Sequence, residues 1–587
     1  MNKFLRNSLL LLLCLAISLS AFVGCNKKDN DEAPSSDSQN TSDVTSVDDE
    51  TTSSTESEDE EVSSEETIED DVWEEWEEEN FDDVLSEEYE DIFIDNVTVK
   101  NGSKPIMTTY RGFGSIVHQM YEYMPYKNKQ NEYTEEQAQE QFNRMQTIGI
   151  DLIRSDWNTY MTYDAETEDF DFENTEYIKA FYKAGLELKK RNIDISITTG
   201  WSHHALVDDS SSIPSRELYV EGDWKATLNN WKVWMEKSIL NFRSHGLTNL
   251  NTLILFTEPG KVDWNDTNAK KRGDGKDDAY RIDMWNKWIE CAKALDYSLK
   301  TMGLRDKYIL VGPNQATYAT DYRGNAGDFM KYVAQHGGDE YLDVYSSHNY
   351  VKPNDATQDV CYDFMEITYK DYLLDQLRNE CGSTKPFWID EWNVGEAGYS
   401  QLHRESPWRG TQLGVCATAI MEFGIENSMM WTLYSQQWPN NTQSGGEFTD
   451  GIQMCGLALG LNFTTVPTTQ YYAFALLSKF LSTTDTVYTV EYDKLFGLYY
   501  AYATNDEGDV TIIVVNAYSG GPQGFELNFE KSLGGKNLYR HLYDPTTCKA
   551  NGTMQIIPTD RAYKSVEDKL VDLLPAGALA VYTTVKA

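Results

Sequence analysis

Leu253-Ile254-Leu255-Phe256-Thr257-Glu258-Pro259 and Pro386-Phe387-Trp388-Ile389-Asp390-Glu391-Trp392-Asn393 are built on one pattern. Each is a run of apolar and aromatic residues, the signature of a strand buried on both faces. Each carries a glutamate near its C-terminal end. A carboxylate at the end of a core strand costs several kcal/mol of desolvation unless it is paired or used. The two glutamates are too distant in sequence for a local ion pair, and they suit opposite walls of one pocket.

Working outward, strand-like runs alternate with amphipathic helical stretches from residue 106 onward. The strand candidates are Arg111–Val117, Ile150–Arg154, Ile193–Thr199, Thr252–Glu258, Tyr308–Pro313, Leu342–His348, Pro386–Glu391 and Ser428–Leu433. Helical patterns lie between them at Glu135–Ile148, Glu176–Arg191, Trp224–Arg243, Arg281–Met302, Asp328–Gln335, Phe364–Asn379 and Thr411–Phe423, and Thr465–Leu481 closes the set. This alternation predicts an α/β fold, a (β/α)8 TIM barrel over 106–482. Chemistry in such a barrel sits at the C-terminal strand ends. Arg154, Glu258, His348, Glu391 and Trp431 fall at or near those ends. Beyond Leu481 come short alternating runs at Val487–Val490, Leu498–Ala503, Val510–Val515, Gly524–Asn528, Leu538–Tyr543 and Ala578–Thr584, separated by Gly, Asp and Asn turns. They predict a small antiparallel β-sandwich over 483–587. The segment 91–105 is expected to add a strand to it.

The N-terminus is of another kind. Lys3 and Arg6 precede a short apolar run through Phe22, which reads as an export signal over 1–24. Phe22-Val23-Gly24-Cys25 resembles a bacterial lipobox. That resemblance implies cleavage before Cys25, acylation of its sulfur, and a lipid-anchored protein on the extracellular face of a bacterial membrane. Residues 26–90 hold 28 Asp and Glu against two Lys. With its charges repelling and little to bury, 25–90 is expected to be a disordered acidic stalk. The formal net charge of the chain is −45, which argues against nucleic acid as a partner. The cysteines show no CxxC spacing, so no zinc site is suggested. Cys361 and Cys381 flank one predicted helix and are either paired or two buried thiols.

An acidic Glu258-Pro259 after the fourth strand and a glutamate within Trp388-Ile389-Asp390-Glu391-Trp392-Asn393 on the seventh resemble the clan A glycoside hydrolases. Arg154 after the second strand, Ser347-His348-Asn349-Tyr350 after the sixth and Trp431 after the eighth fit the same pattern, and the trailing sandwich makes the chain most like family 39 and its neighbours, families 30, 51 and 79. The resemblance implies a retaining glycosidase with a carbohydrate substrate and no cofactor or metal. Glu258 would be the acid and then the base, and Glu391 the nucleophile. Arg154 would pair with Glu391, and His348 or Tyr350 would hydrogen-bond around it. Trp431 would floor a sugar subsite, since aromatic faces suit the C–H face of a sugar ring. Trp157, Trp201, Trp264, Trp392, Trp408 and Trp438 are expected in loops at the same end, some as sugar platforms. One departure stands out: Thr257 occupies the position before the acid where the clan carries Asn, so the contact to the sugar 2-hydroxyl passes to another donor such as Asn393, or the preferred sugar differs there. Strand alternation points Asp390 away from Glu391, toward the helices. Glu396, in a Gly-bounded loop, is the rival nucleophile. His203 and His204 suit a substrate-contacting or exposed loop better than a metal site. The alternative to an enzyme is a lipid-anchored carbohydrate-binding protein without turnover.

Overall fold

The computed structural model describes residues 94–117, 120, 134–164, 166–199, 218–259, 277–316, 326–351, 359–394, 406–431, 433, 455–457, 465–467, 469–481, 485–548 and 556–586. Cys25, the acidic stretch, Trp201, His203, His204, Trp264, Glu396 and Trp438 lie outside the described residues.

Eight parallel strands close a barrel. They are β1 (Phe113–Ile116), β2 (Leu152–Asp156), β3 (Asp194–Thr198), β4 (Leu250–Ile254), β5 (Ile309–Ala316), β6 (Val344–Val351), β7 (Phe387–Val394) and β8 (Asn427–Met430), and β8 pairs back onto β1. Every residue of β2 and of β7 is buried, as an unbroken apolar-aromatic run demands when helices cover one face and the barrel axis the other. Ile116, Leu152, Ile254, Val311, Val344, Trp388 and Met429 fill the interior, so the barrel is a packed core and not a pore.

A helix follows each strand: α1 (Glu135–Thr147), α2 (Glu176–Lys190), α3 (Trp224–Ser244), α4 (Asp277–Thr301), α5 (Ala326–Gln335), α6 (Asp359–Met365, continued as π-helix to Glu380), α7 (Trp408–Glu422) and α8 (Thr469–Lys479). The sequence explains their bounds. In α2, Thr175 caps the start by accepting from the Ile178 N–H at 3.2 Å, Glu176 opens the first turn and Lys189 and Lys190 close the last. Its buried face, Ile178, Phe181, Ala184 and Leu188, follows the helical period.

After the barrel come a seven-stranded and a four-stranded sheet that share an apolar core. Ile94–Val99 runs parallel to Gln523–Phe529 in the smaller sheet, which joins the beginning of the described chain to its end. Met107–Tyr110, which the sequence places at the start of the barrel, instead pairs with Asp485–Tyr488 in the larger sheet. Thr559–Val566 and Lys569–Leu574 are strands that the sequence pattern does not reveal. The first is an edge strand with mostly exposed side chains, so no alternation marks it.

The sandwich packs on α7. Gly410 and Gly414 lie one turn apart there, and a Cβ on either would stand 2.4 Å from the Tyr543 ring or 2.9 Å from Val515. Bare backbone at both positions lets helix and sheet approach. The Thr411 hydroxyl donates to the Gly577 carbonyl, and the Tyr543 hydroxyl to the Pro407 carbonyl at 2.5 Å. Cys361 and Cys381 are separate thiols, which removes the pairing option. Cys361 is buried and neighbours Cys416, whereas Cys381 lies 4.0 Å from the Lys331 carbonyl.

Candidate active site

The chain leaves β4 at Ile254 and enters an unusual turn. Phe256 (φ 57°) and Glu258 (φ 45°) both adopt the left-handed region, which costs a non-glycine residue about 1–3 kcal/mol. Surrounding bonds hold the turn in place. The Phe256 N–H donates to the Thr199 hydroxyl at 3.1 Å, and Trp288 Nε1 donates to the Leu255 carbonyl at 3.3 Å. The Glu258 N–H donates to the main-chain carbonyl of Asn314 at 3.1 Å and meets its side-chain oxygen at 3.3 Å. Strain held this firmly at a strand end makes the turn a candidate site.

Glu258 is 4 % exposed and Glu391 7 %. Their partners differ. Tyr350 donates its hydroxyl to Glu391 Oε1 at 2.5 Å, and Arg154 donates to Oε2 at 3.0 Å. The same guanidinium donates to the Asp390 carbonyl at 2.7 Å and to the Thr257 hydroxyl at 3.3 Å. Arg154 therefore bridges the end of β7 to the residue beside Glu258. His348 Nε2 lies 2.8 Å from Glu258 Oε1, and its Nδ1 lies 3.8 Å from Asp390 Oδ1. His348 and Glu391 are register partners on β6 and β7, yet the imidazole serves the other glutamate. A register shift between Ser347 and His348 accompanies this. Burial opposes a charge on His348, but Glu391, Asp390 and Glu258 around it outweigh burial and raise it to about 9. Burial likewise disfavours the Asp390 carboxylate, and the His348 and Arg154 charges reverse that, leaving it below the ordinary carboxylate range.

Arg154, Thr257, Glu258, His348, Tyr350 and Glu391 thus form one connected set, and half-buried Trp431 packs on the barrel's apolar interior. The structure moves other residues out of the site. Trp157 is fully buried in the helical layer, where Phe181, Trp234 and Phe242 surround it and its Nε1 donates to Ser238 at 2.9 Å. A sugar cannot reach that ring. Trp392 is 1 % exposed against Phe113, and Trp408 packs on Gly577 of the sandwich. Asn393 is fully buried, its Nδ2 donating to the Trp431 carbonyl at 2.6 Å and its Oδ1 accepting from the Val394 N–H at 2.6 Å, so its amide braces the backbone and does not replace the missing Asn. Asp390, set aside by strand alternation, belongs to the site through Arg154, His348 and Asn314. Asn314 is the residue that the sequence reading missed: its Nδ2 donates to Asp390 Oδ2 at 2.5 Å while its two carbonyl oxygens meet the Glu258 N–H. Its signal was Gly312-Pro313-Asn314 at the end of the fifth strand candidate, a turn-type motif where a strand should continue.

No family model matches the chain, and no curated protein does. Solved structures do match it. A GH30 xylanase C catalytic domain from Talaromyces cellulolyticus aligns with TM-score 0.54 and 11% identity over 83% of this chain and 99% of its own. A glucosidase from Croceicoccus marinus aligns with TM-score 0.55 and 13% identity over 84% and 99%. A family 30 subfamily 8 xylanase from Clostridium acetobutylicum aligns with TM-score 0.52 and 13% identity over 83% and 99%. At such identities the likeness is one of fold: the chain has the barrel-based architecture of these glycoside hydrolases over nearly their whole length.

Proposed function

We propose that the chain is a retaining glycoside hydrolase, with Glu391 as nucleophile and Glu258 as acid and then base. The observation that carries this is the pair of buried carboxylates at the C-terminal ends of β4 and β7, each with its own kind of partner. Two carboxyl groups in contrasting environments can take different roles. Arg154 and Tyr350 fix both oxygens of Glu391 and leave it acceptor-only, which suits attack on an anomeric carbon. Glu258 faces an imidazole, which suits a group that must give up and regain a proton. In the first step Glu391 displaces the leaving oxygen while Glu258 protonates it. In the second, water takes the place of the leaving group, gives its proton to Glu258, and releases the sugar from Glu391. Thr257, tied to Arg154, offers a hydroxyl where the resembled clan offers an amide, so discrimination at the sugar 2-position is expected to differ.

Families 30 and 39 both fall within the sequence resemblance, and the structural matches favour family 30 as the nearer likeness. Because those matches are xylanases and a glucosidase, aryl xylosides and aryl glucosides are the first substrates to try. The lipobox-like Phe22-Val23-Gly24-Cys25 supports placement at a bacterial surface by a lipid on Cys25. Metabolic labelling with a fatty acid, lost in Cys25→Ser, tests that part. The test of the function is a screen of aryl glycosides with the wild type and Glu391→Gln. Turnover that the variant abolishes supports the reading. Sugar binding unchanged in the variant, with no turnover in either protein, would mean a carbohydrate-binding protein instead.

A further inference from the structure

Glu258 is asked to act as an acid, yet its carboxyl faces His348 at 2.8 Å, and the other imidazole nitrogen looks toward Asp390. An imidazole that hydrogen-bonds one carboxylate at Nε2 and has a second within ion-pair range of Nδ1 is favoured as the doubly protonated ion. Three hydrogen bonds and one ion-pair approach connect the groups: Glu258 Oε1 to His348 Nε2 at 2.8 Å, Asp390 Oδ2 to Asn314 Nδ2 at 2.5 Å and Asn314 back to the Glu258 N–H at 3.1 Å, with His348 Nδ1 3.8 Å from Asp390 Oδ1, beyond hydrogen-bond length. Glu258 is gripped at both its carboxyl and its backbone.

We propose that Glu258, His348 and Asp390 hold one mobile proton as a unit, with His348 as its resting place and Asn314 as the brace that keeps the unit closed. This rests on the glycosidase reading. When a glycosidic oxygen settles against Glu258, the Nε2–H bond breaks and an O–H bond forms on the carboxyl. That proton then passes to the leaving oxygen as the glycosidic C–O bond breaks, and the aglycone departs as an alcohol. In the second half the water proton returns to Glu258 and from there to Nε2, so the cycle closes without any other donor. His348 is a proton-holding and positioning residue and need not touch the sugar. The charged or titratable groups facing it are Glu258 from the β4 turn and Asp390 and Glu391 from β7, with Arg154 and Tyr350 one bond further out. Their balance favours the imidazolium, in keeping with a pKa of about 9.

Two measurements on the full chain test the unit. The first is the pH profile of kcat/KM on an aryl glycoside with a poor leaving group, for wild type and Asp390→Asn. Losing the Asp390 charge weakens proton retention, so the alkaline limb is expected to move to lower pH by about one unit. His348→Gln should slow a poor leaving group by about tenfold or more beyond any loss on an activated leaving group, because only the former needs the proton. A purely structural role predicts equal losses on both substrates and an unmoved limb, and that result overturns the proposal. The second is 15N NMR of His348 in the wild type, which needs neither a variant nor turnover. Both nitrogens protonated at pH 7 supports the proposal, and a neutral ring at pH 7 overturns it. Failure of the glycosidase reading is separate, since it shows as absence of turnover on every glycoside.

Discussion

Among the described residues, two buried charge clusters are instructive side by side. At the barrel mouth, Arg154, Glu391, Tyr350, His348, Glu258 and Asp390 make one set. In the sandwich, Arg540 donates to Asp572 at 2.7 Å and pairs with Asp560, while Tyr582 donates to Asp572 at 2.5 Å and Arg561 approaches at 3.3 Å. Both bury an arginine and a carboxylate, so burial of charge does not by itself mark a site. The surroundings differ. The mouth cluster sits at C-terminal strand ends, on a backbone with two left-handed non-glycine residues, and its two main carboxylates have unlike partners. The sandwich cluster spans regular paired strands, Lys536–Tyr543, Thr559–Val566, Lys569–Leu574 and Leu579–Thr583. Asp572 is fully buried, and every group around it points inward to close the balance. On the proposed function the first cluster exchanges a proton, whereas the second only holds the sandwich together.

Substitution separates the two most sharply. Glu391→Gln should cut turnover by on the order of 10⁴-fold or more at a stability cost of only about 1–2 kcal/mol, because the amide oxygen and the Asp390 carbonyl remain as acceptors for buried Arg154. Steady-state kinetics beside a melting curve reads both. Asp572→Ala should do the reverse. It takes from buried Arg540 one of its two carboxylate partners and from the Tyr582 hydroxyl its acceptor, so folding stability should fall by about 2–4 kcal/mol with activity per folded molecule unchanged, as denaturant titration would show. Gly414→Ala tests the seam between the two regions. Its new methyl meets Val515 and Leu579, and about 1–3 kcal/mol of stability should be lost with the mouth cluster intact. A large activity loss there instead would mean that the sandwich shapes the site through α7.

The histidines give the smallest effect, and its sign differs between the regions. His348 is raised from 6.5 to about 9, so its stabilising contribution is complete below pH 6.5 and is lost as pH rises through about 9. His541, fully buried in the sandwich with Nδ1 2.7 Å from the Ile557 carbonyl, is lowered by burial. The unfolded chain then binds the extra proton, and stability is lost as pH falls through 6.5 and below. Midpoints measured across pH should lose their alkaline decline in His348→Gln and part of their acid decline in His541→Gln.

The comparison also explains what was legible in the sequence. The eight barrel strands and their helices were readable because each carries a period that burial imposes. Glu258 and Glu391 were readable because a carboxylate ending an apolar run is costly. Trp157 was not: a tryptophan just past a strand looks the same whether it faces sugar or the helical layer, and only packing against Phe181 and Phe242 decides. Asn393 misled for the same reason, since a side-chain amide serves a ligand or a backbone equally well. Asn314 and Asp390 owe their part to contacts across strands, which no local pattern encodes. The edge strand Thr559–Val566 escaped because its exposed side chains show no alternation.

Product stereochemistry decides whether Glu391 forms a covalent bond to the sugar. The wild-type chain is to be run on a glycoside it cleaves, and the first-formed anomer read by NMR before mutarotation. Double displacement through Glu391 predicts a sugar released with the anomeric configuration of the substrate. Release of the opposite anomer would contradict the account, because it would make Glu391 the base for a water molecule and leave no covalent step.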